Sequence, residues 1–534
     1  MRREFILIAC IVVGFEVGFA YWYPPLLWTL LIVGPLLFIG VCDLMQTRHT
    51  IRRNFPLLGN FRYLFEAIRP EINQYFVESN VDGVPFSREE RSVVYQRAKG
   101  ELDTLPFGTQ KKVYEAGYEW MNHSLAPVTV DPQSLRVTVG NQKCSKPYSA
   151  SIFNISAMSY GSLSRAAIEA LNLGAKTGEF AHNTGEGGIS PYHAKHGGDL
   201  IWQIGTGYFG CRTHDGTFDP ELFQTNASRE SVKMIEIKLS QGAKPGHGGI
   251  LPAAKVTPEI SKIRNVPMGV DVNSPPAHSA FRTPIEMMEF VEKLRALSEG
   301  KPIGLKLCVG RRREFLAMCL AMKETGLYPD YIAVDGGEGG TGAAPLEFSN
   351  HVGSPGLEGL VFVHNALKGF DLRDDIRVFA SGKALTAFGV MKLIAVGADV
   401  VYAARPMMLA LGCIQALRCH ANTCPTGVAT QDPALVAGLV VKDKYRRVAR
   451  FHRETIESVA ELLGAMGLHS IEELEPWHLM RRISTHEVSN YSELYHYIEK
   501  GSLLGEDVPE SYRRALRNAT SQSFNRASES SSSA

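Results

Sequence analysis

The sequence predicts an α/β protein whose main domain is an eight-stranded parallel barrel, led by two apolar segments at the N-terminus. Three observations predict it. Between residue 151 and about residue 406, short β-rich runs alternate with helical patterns, the signature of strand–helix repeats. Glycine-rich stretches such as NTGEGG, QGAKPGHGG and DGGEGGTGAA fall where the carboxyl ends of those strands belong, and there backbone must come close to a ligand. Ahead of all this, residues 5–23 and 26–42 are almost wholly apolar and are parted by Pro24-Pro25.

Each N-terminal run is close to the ~20 residues that cross a bilayer. A cleaved signal peptide would share Arg2-Arg3 and the first apolar run. Against it, a second run follows at once and no small-residue cleavage site stands out. Arg2 and Arg3 precede the pair, and Arg48, Arg52 and Arg53 follow it. The positive-inside bias then predicts a transmembrane hairpin over residues 1–47 in the cell inner membrane, with both ends and the catalytic domain on the cytoplasmic side. Glu16 and Pro35 interrupt the runs but are tolerable if the two helices pack together.

Residues 48–150 read as a mainly helical lead-in packed on the main domain, with no chemistry of their own. The barrel domain is expected over 151–470, with strands at 152–156, 180–183, 233–237, 268–272, 303–307, 331–334, 376–380 and 400–403. An open doubly wound sheet competes, but no strand–GxGxxG–helix opening is present. The long connection between the second and third runs would hold an insertion. Catalysis in such a barrel sits at the carboxyl ends of the strands. NTGEGG follows the second run, QGAKPGHGG the third, DGGEGGTGAAP the sixth, SGKAL the seventh and AARPMM the eighth. Loops after the last two strands commonly grip phosphate, so backbone N–H groups of Ser381, Gly382, Lys383, Ala404 and Arg405 are candidates. Beyond the barrel, an amphipathic helix over 445–468, a helical segment over 471–517 and a serine-rich disordered tail over 518–534 complete the chain. The net charge of +1 offers no attraction for nucleic acid.

One segment stands apart. Cys413, Cys419 and Cys424 lie in GCIQALRCHANTCPTGVATQDP, within the 412–431 stretch. Cys-x5-Cys-x4-Cys is not zinc spacing. Three clustered thiolates suit an iron–sulfur cluster better than a disulfide, with buried structural cysteines as the plain alternative. Three ligands and no fourth would match a 3Fe–4S cluster.

The runs SAMSYGSLS (156–164), NTGEGG (183–188), EIKLSQGAKPGHGG (236–249), SPP (274–276), GGTGAAP (339–345) and GCIQALRCHANTCPTGVATQ (412–431) occur in order. With them, the chain from about 156 to 468 resembles the FMN-binding synthase domain of the glutamate synthase family. The resemblance implies a (β/α)8 TIM barrel holding FMN at its C-terminal face beside a 3Fe–4S cluster. It implies reductive condensation of 2-oxoglutarate with ammonia to glutamate. By resemblance, Ala157, Met158 and Ser159 line the flavin, Gln203 bonds its polar edge, Lys306 stands by its N1–C2 carbonyl, and Gly340 and Gly342 belong to the cofactor loop. A barrel-interior lysine paired to a carboxylate is the plain alternative for Lys306. Lys244, Gln241 and Arg264 would contact 2-oxoglutarate, with Glu186 where ammonia arrives. For Lys244 the alternative is a solvated loop lysine, and for Arg264 a surface charge.

The sequence departs from the family's pattern at His247, where an acidic residue is usual, and at Ile250, where a glutamine helps hold the keto-acid. Losing such a buried polar contact is worth about 1 kcal/mol or more and could change the substrate. The glycine loop at 336–342 is longer than in the large enzyme. The amidotransferase domain and the C-terminal β-helix are not in the sequence, and Cys10 lies in an apolar run, so a separate amidotransferase subunit or free ammonia is expected. No dinucleotide fingerprint occurs, which makes a ferredoxin or a separate reductase the expected electron donor, with a quinone-linked membrane protein the other option. Two other readings are the same redox core acting on another keto-acid, imine or acceptor, and a silent scaffold of a membrane complex. Intact Lys244, Glu186 and the three cysteines speak against the scaffold.

Overall fold

The computed structural model describes residues 1–526 and falls into two compact units, residues 1–88 and the chain from Glu89 onward. In the first unit, helix Arg2–Ala20 leads through a 3-10 turn, Pro24–Thr29, into helix Leu30–Met45. The two helices run antiparallel against each other. Phe5 lies so close over Gly40 that a Cβ there would come within 2.0 Å of its ring, and at the other end Thr29 Oγ1 donates to Glu16. Pro24–Met45 is the one stretch among the described residues long and apolar enough to cross a membrane by length and composition. Helix Arg2–Ala20 carries Arg2, Arg3, Glu4 and Glu16 and is less apolar. A short helix, Thr50–Asn54, then helix Leu58–Ile72 and a π-turn, Asn73–Val77, follow. Asp43 accepts from Leu57 N at 3.0 Å and Asn60 Nδ2 at 2.5 Å, fixing the corner between them.

The second unit is the barrel. Its strands are β1 (Phe153–Ile155), β2 (His182–Asn183), β3 (Leu200–Ile204), β4 (Val232–Lys238), β5 (Ile303–Cys308), β6 (Tyr331–Asp335), β7 (Arg377–Ser381) and β8 (Val400–Ala403). They close in that order, every neighbouring pair parallel, with β8 back against β1. Parallel strands covered on both faces read as apolar runs, and IGLKLC and VVYA are buried throughout. Ser164, Thr283 and Thr386 each start a crossover helix by accepting a backbone N–H, Thr283 in a capping box with Glu286. The antiparallel pair Arg136–Val139 and Tyr148–Ser151 runs straight into β1 and so sits at the amino-terminal end of the barrel. Val139 and Ala150 pack there with Ala181, Ile201, Met234, Tyr331, Phe379 and Val400, filling the floor.

Two expectations within the barrel change. Residues 268–272 are not a barrel strand: only Val272–Asn273 is extended, and it pairs antiparallel with Ile250–Leu251. The alternation of MGVDV reads as a strand, yet Met268 and Val270 are exposed. The third barrel strand is instead LIWQI, fully buried, inside the stretch read as an insertion. The insertion therefore lies between β4 and β5, and QGAKPGHGG follows the fourth strand, not the third.

The expected helix over 445–468 is Val441–Ala465, whose Val448, Phe451, His452, Val459 and Leu463 are buried. The lead-in is helical only to Lys99; beyond it come strands and irregular chain, because Glu119–Met121 pairs with Leu479–Arg482. That pairing, extended by Val488–Asn490, makes much of the 471–517 segment a small antiparallel sheet with 3-10 turns, ahead of helix Glu510–Arg517. The tail expected to be disordered from 518 is held as far as Phe524, where Arg313 Nη1 donates to its carbonyl and Ser521 donates to Glu324. Residues 527–534 lie outside the described residues.

Candidate active site

In β4 the side chains of Met234, Glu236 and Lys238 alternate onto one face. Met234 belongs to the floor, so Glu236 stands above it inside the barrel and Lys238 reaches the rim. Glu236 is fully buried. Its Oε1 accepts from Asn183 Nδ2 at 2.9 Å and Gln203 Nε2 at 2.6 Å, and its Oε2 accepts from Tyr402 OH at 3.0 Å. Burial and the Glu236 carboxylate push the Tyr402 phenol well above its usual range, so it remains a donor. Lys306 on β5 is also inside, with Nζ 3.4 Å from Asp335 Oδ2 and 5.9 Å from the Tyr402 ring centroid. It is thus a barrel-interior lysine paired to a carboxylate.

At the rim, Lys238 Nζ pairs with Glu186 Oε1 at 3.0 Å. Glu186 comes from NTGEGG after β2, and two glycines make room for it. A Cβ on Gly205 would come within 2.5 Å of its carboxylate, and one on Gly249 within 2.0 Å. Burial opposes ionisation of Glu186, but Lys238, Arg264 and Lys244 outweigh it and hold the carboxyl below the usual range.

Arg264 closes helix Pro258–Arg264 and is buried, not a surface charge. Its Nη2 donates to Tyr160 O at 3.0 Å and meets Ser159 Oγ at 3.5 Å, and the guanidinium sits 5.2 Å from the Phe209 ring centroid. Its Nε is buried without a partner. Burial lowers its pKa to about 10, against the pull of Glu186.

Lys244 is 2% exposed, which removes the solvated-loop alternative. Its Nζ donates to Ala343 O at 2.8 Å, and the loop is locked by Gly242 N to Asp335 Oδ2 at 3.1 Å and Ala243 N to Gly337 O at 3.1 Å. A Cβ on Gly242 would meet Gly336 O at 2.1 Å, so the two glycine loops touch backbone to backbone. Burial and then Lys238 lower the Lys244 ammonium to about 8, with Glu186 opposing. Gln241 is half-buried on the same loop. His247 Nδ1 faces Gly248 O at 2.9 Å, and Ile250 is half-buried beside the Glu186 cradle, paired with Asn273.

Ala157, Met158 and Ser159 follow β1, where Met158 N donates to Asn183 O at 3.2 Å. Ser381 pairs with Tyr402 across β7 and β8, which brings Ser381, Gly382 and Lys383 next to Ala404 and Arg405 at the carboxyl ends. Ser381 Oγ is buried with no partner, and a Cβ on Gly340 would sit 2.8 Å from the Arg405 guanidinium. An orphan hydroxyl beside an arginine is a donor set suited to a phosphate. Gly342 is exposed, with nothing within 4 Å of a Cβ.

Cys413 follows helix Arg405–Leu411 through Gly412, and its carbonyl accepts from Tyr95 OH at 2.7 Å. Its Sγ accepts from Gln415 N at 3.4 Å, and Cys424 Sγ lies 3.5 Å from Thr426 Oγ1. Burial pushes the Cys413 thiol up to about 12, with Cys419 and Cys424 adding to it; burial and Cys424 raise Cys419. For Cys424, burial is outweighed by hydrogen bonds from Thr426, Ala429 and Val428, and the thiol is lowered. The three sulfurs therefore feel one another. Lys255 Nζ, donating to Ser162 O and Ala429 O at 2.9 Å each, lies within the field of Cys419 and Cys424. All three cysteines are free, and among the described residues no three His, Cys, Asp or Glu close into a preformed metal site.

Glu186, Lys244 and Arg264 are thus gathered as the sequence suggests, and Gln203 turns to Glu236. Sequence reasoning passed over Lys238, Glu236, Asn183, Tyr402, Asp335 and Lys255. Two charges at alternate positions of MIEIK in an apolar strand were the available signal for the first two.

The conserved region of glutamate synthase is matched over residues 111–469. The glutamate synthase large subunit-like protein YerD of Bacillus subtilis (strain 168) is 37% identical over 500 residues, covering 86% of this chain and 95% of that one. The archaeal glutamate synthase (NADPH) of Methanocaldococcus jannaschii is 34% identical over 366 residues, 68% of each chain. The glutamate synthase (NADPH) large chain of Bacillus subtilis (strain 168) is 32% identical over 60% of this chain but only 20% of its own length. Among solved structures, a flavocytochrome b2 variant with sulfite bound is 15% identical, covers 84% of this chain and 92% of its own, and has a TM-score of 0.41. With its conserved region matched over most of its length, the chain belongs to the glutamate synthase family.

Proposed function

We propose that this protein is an FMN-dependent oxidoreductase that reductively aminates 2-oxoglutarate with ammonia to form glutamate. The observation that carries the reading is the buried rim cluster, in which the Glu186–Lys238 pair stands within the field of Lys244 and Arg264 at the carboxyl ends of a family barrel. An oxo-diacid needs cations for two carboxylates, and Lys244 and Arg264 supply them in a site where water is scarce. A lysine near pKa 8 can also give up a proton close to neutral pH, which suits protonation of the nitrogen or oxygen at the reacting carbon. Glu186, kept ionised by its neighbours, can accept N–H groups of ammonia and hold it against the keto carbon.

FMN would be held by residues 157–159, Lys306, Gly340, Ser381, Gly382, Lys383, Ala404 and Arg405, with Gln203 and Glu236 beneath. When bound, it supplies the hydride that completes the reduction. Cys413, Cys419 and Cys424 would hold the 3Fe–4S cluster, which supplies electrons singly. The free thiols, the N–H groups directed at Cys413 and Cys424, and Lys255 nearby form a donor set that fits such a group. The electron donor would be a separate protein, a ferredoxin or a reductase, and an amidotransferase subunit could deliver the ammonia.

The N-terminal helices would anchor the enzyme as a hairpin in the inner membrane, catalytic domain facing the cytoplasm. The exposed aromatics Tyr21, Trp22, Tyr23 and Trp28 gather at the turn, as interfacial residues do, while arginines flank the opposite ends. A second reading, another keto-acid or imine as substrate, is favoured by one observation. Ile250, beside the Glu186 cradle, offers no hydrogen bond where the family uses a glutamine.

An anaerobic ammonia-dependence assay tests the proposal. The protein is reduced with an artificial one-electron donor, then mixed with 2-oxoglutarate with and without ammonium. Glutamate formed only with ammonium supports it. Flavin that is reduced but not reoxidised by the pair would overturn the substrate assignment.

A further inference from the structure

Helix Leu58–Ile72 and the π-turn Asn73–Val77 present an apolar side that no part of the first unit covers. Leu58, Phe61, Phe65, Ile68 and Ile72 recur at three- and four-residue spacing and share one stripe, with Leu64 beside it. In a globular fold such a stripe faces the core. Here Phe61 is 54% exposed, Phe65 59% and Phe76 83%. Contiguous exposed apolar surface of this kind marks a contact with a membrane or another molecule.

The other side of the helix is the one fastened down. A Cβ on Gly59 would meet the Arg52 backbone at 2.8 Å, the Arg52 guanidinium sits 4.2 Å from the Tyr63 ring centroid, and the His49 ring lies 4.9 Å from the same ring. Asp43, near the end of the apolar helix Leu30–Met45, receives Leu57 N and Asn60 Nδ2. The stripe is therefore turned outward by contacts that also tie the helix to the end of the hairpin. Arg62 and Arg69, both exposed and one heptad apart, run along its edge. An apolar stripe bordered by arginines suits a lipid surface, where the stripe enters the acyl region and the guanidiniums meet phosphates.

We infer that the Leu58–Ile72 helix lies in the interface of an anionic bilayer as an amphipathic surface helix, a second membrane contact beyond the hairpin. It rests on the hairpin reading, since the helix leaves from the hairpin's end. Lipid is the occupant because the helix is tied to the end of the apolar helix Leu30–Met45 and basic residues border its stripe. Arg48, Arg52, Arg53, Arg62 and Arg69 face only Glu66 and Glu71 as acids between residues 48 and 72.

The test uses the full chain in phosphatidylcholine–phosphatidylglycerol vesicles, with benzoylphenylalanine placed singly at Leu31, Phe65 or Glu66. Illumination couples the probe to whatever lies within reach, and lipid adducts are read by mass spectrometry. The expected result is adducts at Leu31 and Phe65, with the Phe65 yield at least about fivefold above that at Glu66, which lies about 100° round the helix from Phe65 and off the stripe. Adducts at Leu31 with no excess at Phe65 over Glu66 would overturn the surface helix and leave the hairpin standing. Coupling of Phe65 to protein, whether a second copy or a partner, would overturn it as well. Adducts at Phe65 without any at Leu31 would overturn the hairpin and with it the proposal of a second contact beyond it, and their absence at both would remove the two together.

Discussion

The barrel rim and the cysteine segment belong to the same compact unit, yet they are held in opposite ways. At the rim, Lys238, Lys244 and Arg264 surround the Glu186 carboxylate, and its charge offsets part of the cost of burying them. In the 412–431 segment, backbone turns through left-handed Gln415, Leu417 and Asn422; Cys419 and Cys424 raise the Cys413 thiol and Cys424 raises Cys419, while hydrogen bonds lower Cys424. Lys255 draws on Cys419 and Cys424, but among the described residues no preformed metal site closes around the three sulfurs. A rim built on salt bridges can preorganise without its ligand, while a thiol triad depends on what it binds for its final geometry.

The difference can be broken at either end. The largest effect is expected from Cys419→Ser, which should abolish the proposed iron–sulfur cluster while FMN stays bound. Iron content and the flavin spectrum of the purified variant check it, and full iron retention would remove Cys419 as a ligand. Next, Lys238→Met strips the cation from a buried carboxylate and should cost about 3 kcal/mol of stability in chemical denaturation. Adding Glu186→Gln should return most of that loss, since no bare charge then remains; a double variant as unstable as the single would refute the pairing. Lys244→Ala should lower turnover of 2-oxoglutarate at least about tenfold, about 1.4 kcal/mol, with no loss of flavin. Unchanged turnover would take Lys244 out of the site.

The smallest effect is a pH slope. Lys244 titrates near 8 in the folded protein, below the 10.5 of a free lysine. Between those values the unfolded chain holds the proton and the folded one does not, so stability should rise with pH across that window. Below it the burial penalty is present in full. Lys244→Met should flatten the slope in a series of denaturation midpoints from pH 7.5 to 10, about the range of the shift. An unaltered slope would mean another group is responsible.

Much of this was legible in the chain. Seven of the eight expected runs coincide with barrel strands, because buried parallel strands announce themselves as short apolar stretches between glycine loops. Lys244, Glu186 and Arg264 came from motif resemblance, and the burial of Lys244 and Arg264 removes the surface-charge alternative for those two. LIWQI went unrecognised although it is as apolar as its neighbours, and MGVDV took its place through an alternation that belongs to an exposed loop. The alternation of Glu236 and Lys238 in one strand was in view and unused.

What the sequence determined by itself is the class of fold, the order of its loops and the chemical character of each motif. Those follow from periodicity and residue type, which are local. Which charge meets which was decided only in three dimensions. Lys238 finds Glu186, Gln203 turns to Glu236, and Lys306 settles against Asp335 because closing the barrel fixes the register between strands distant in the chain. Local pattern says that a side chain faces inward; only the closed barrel says what it faces.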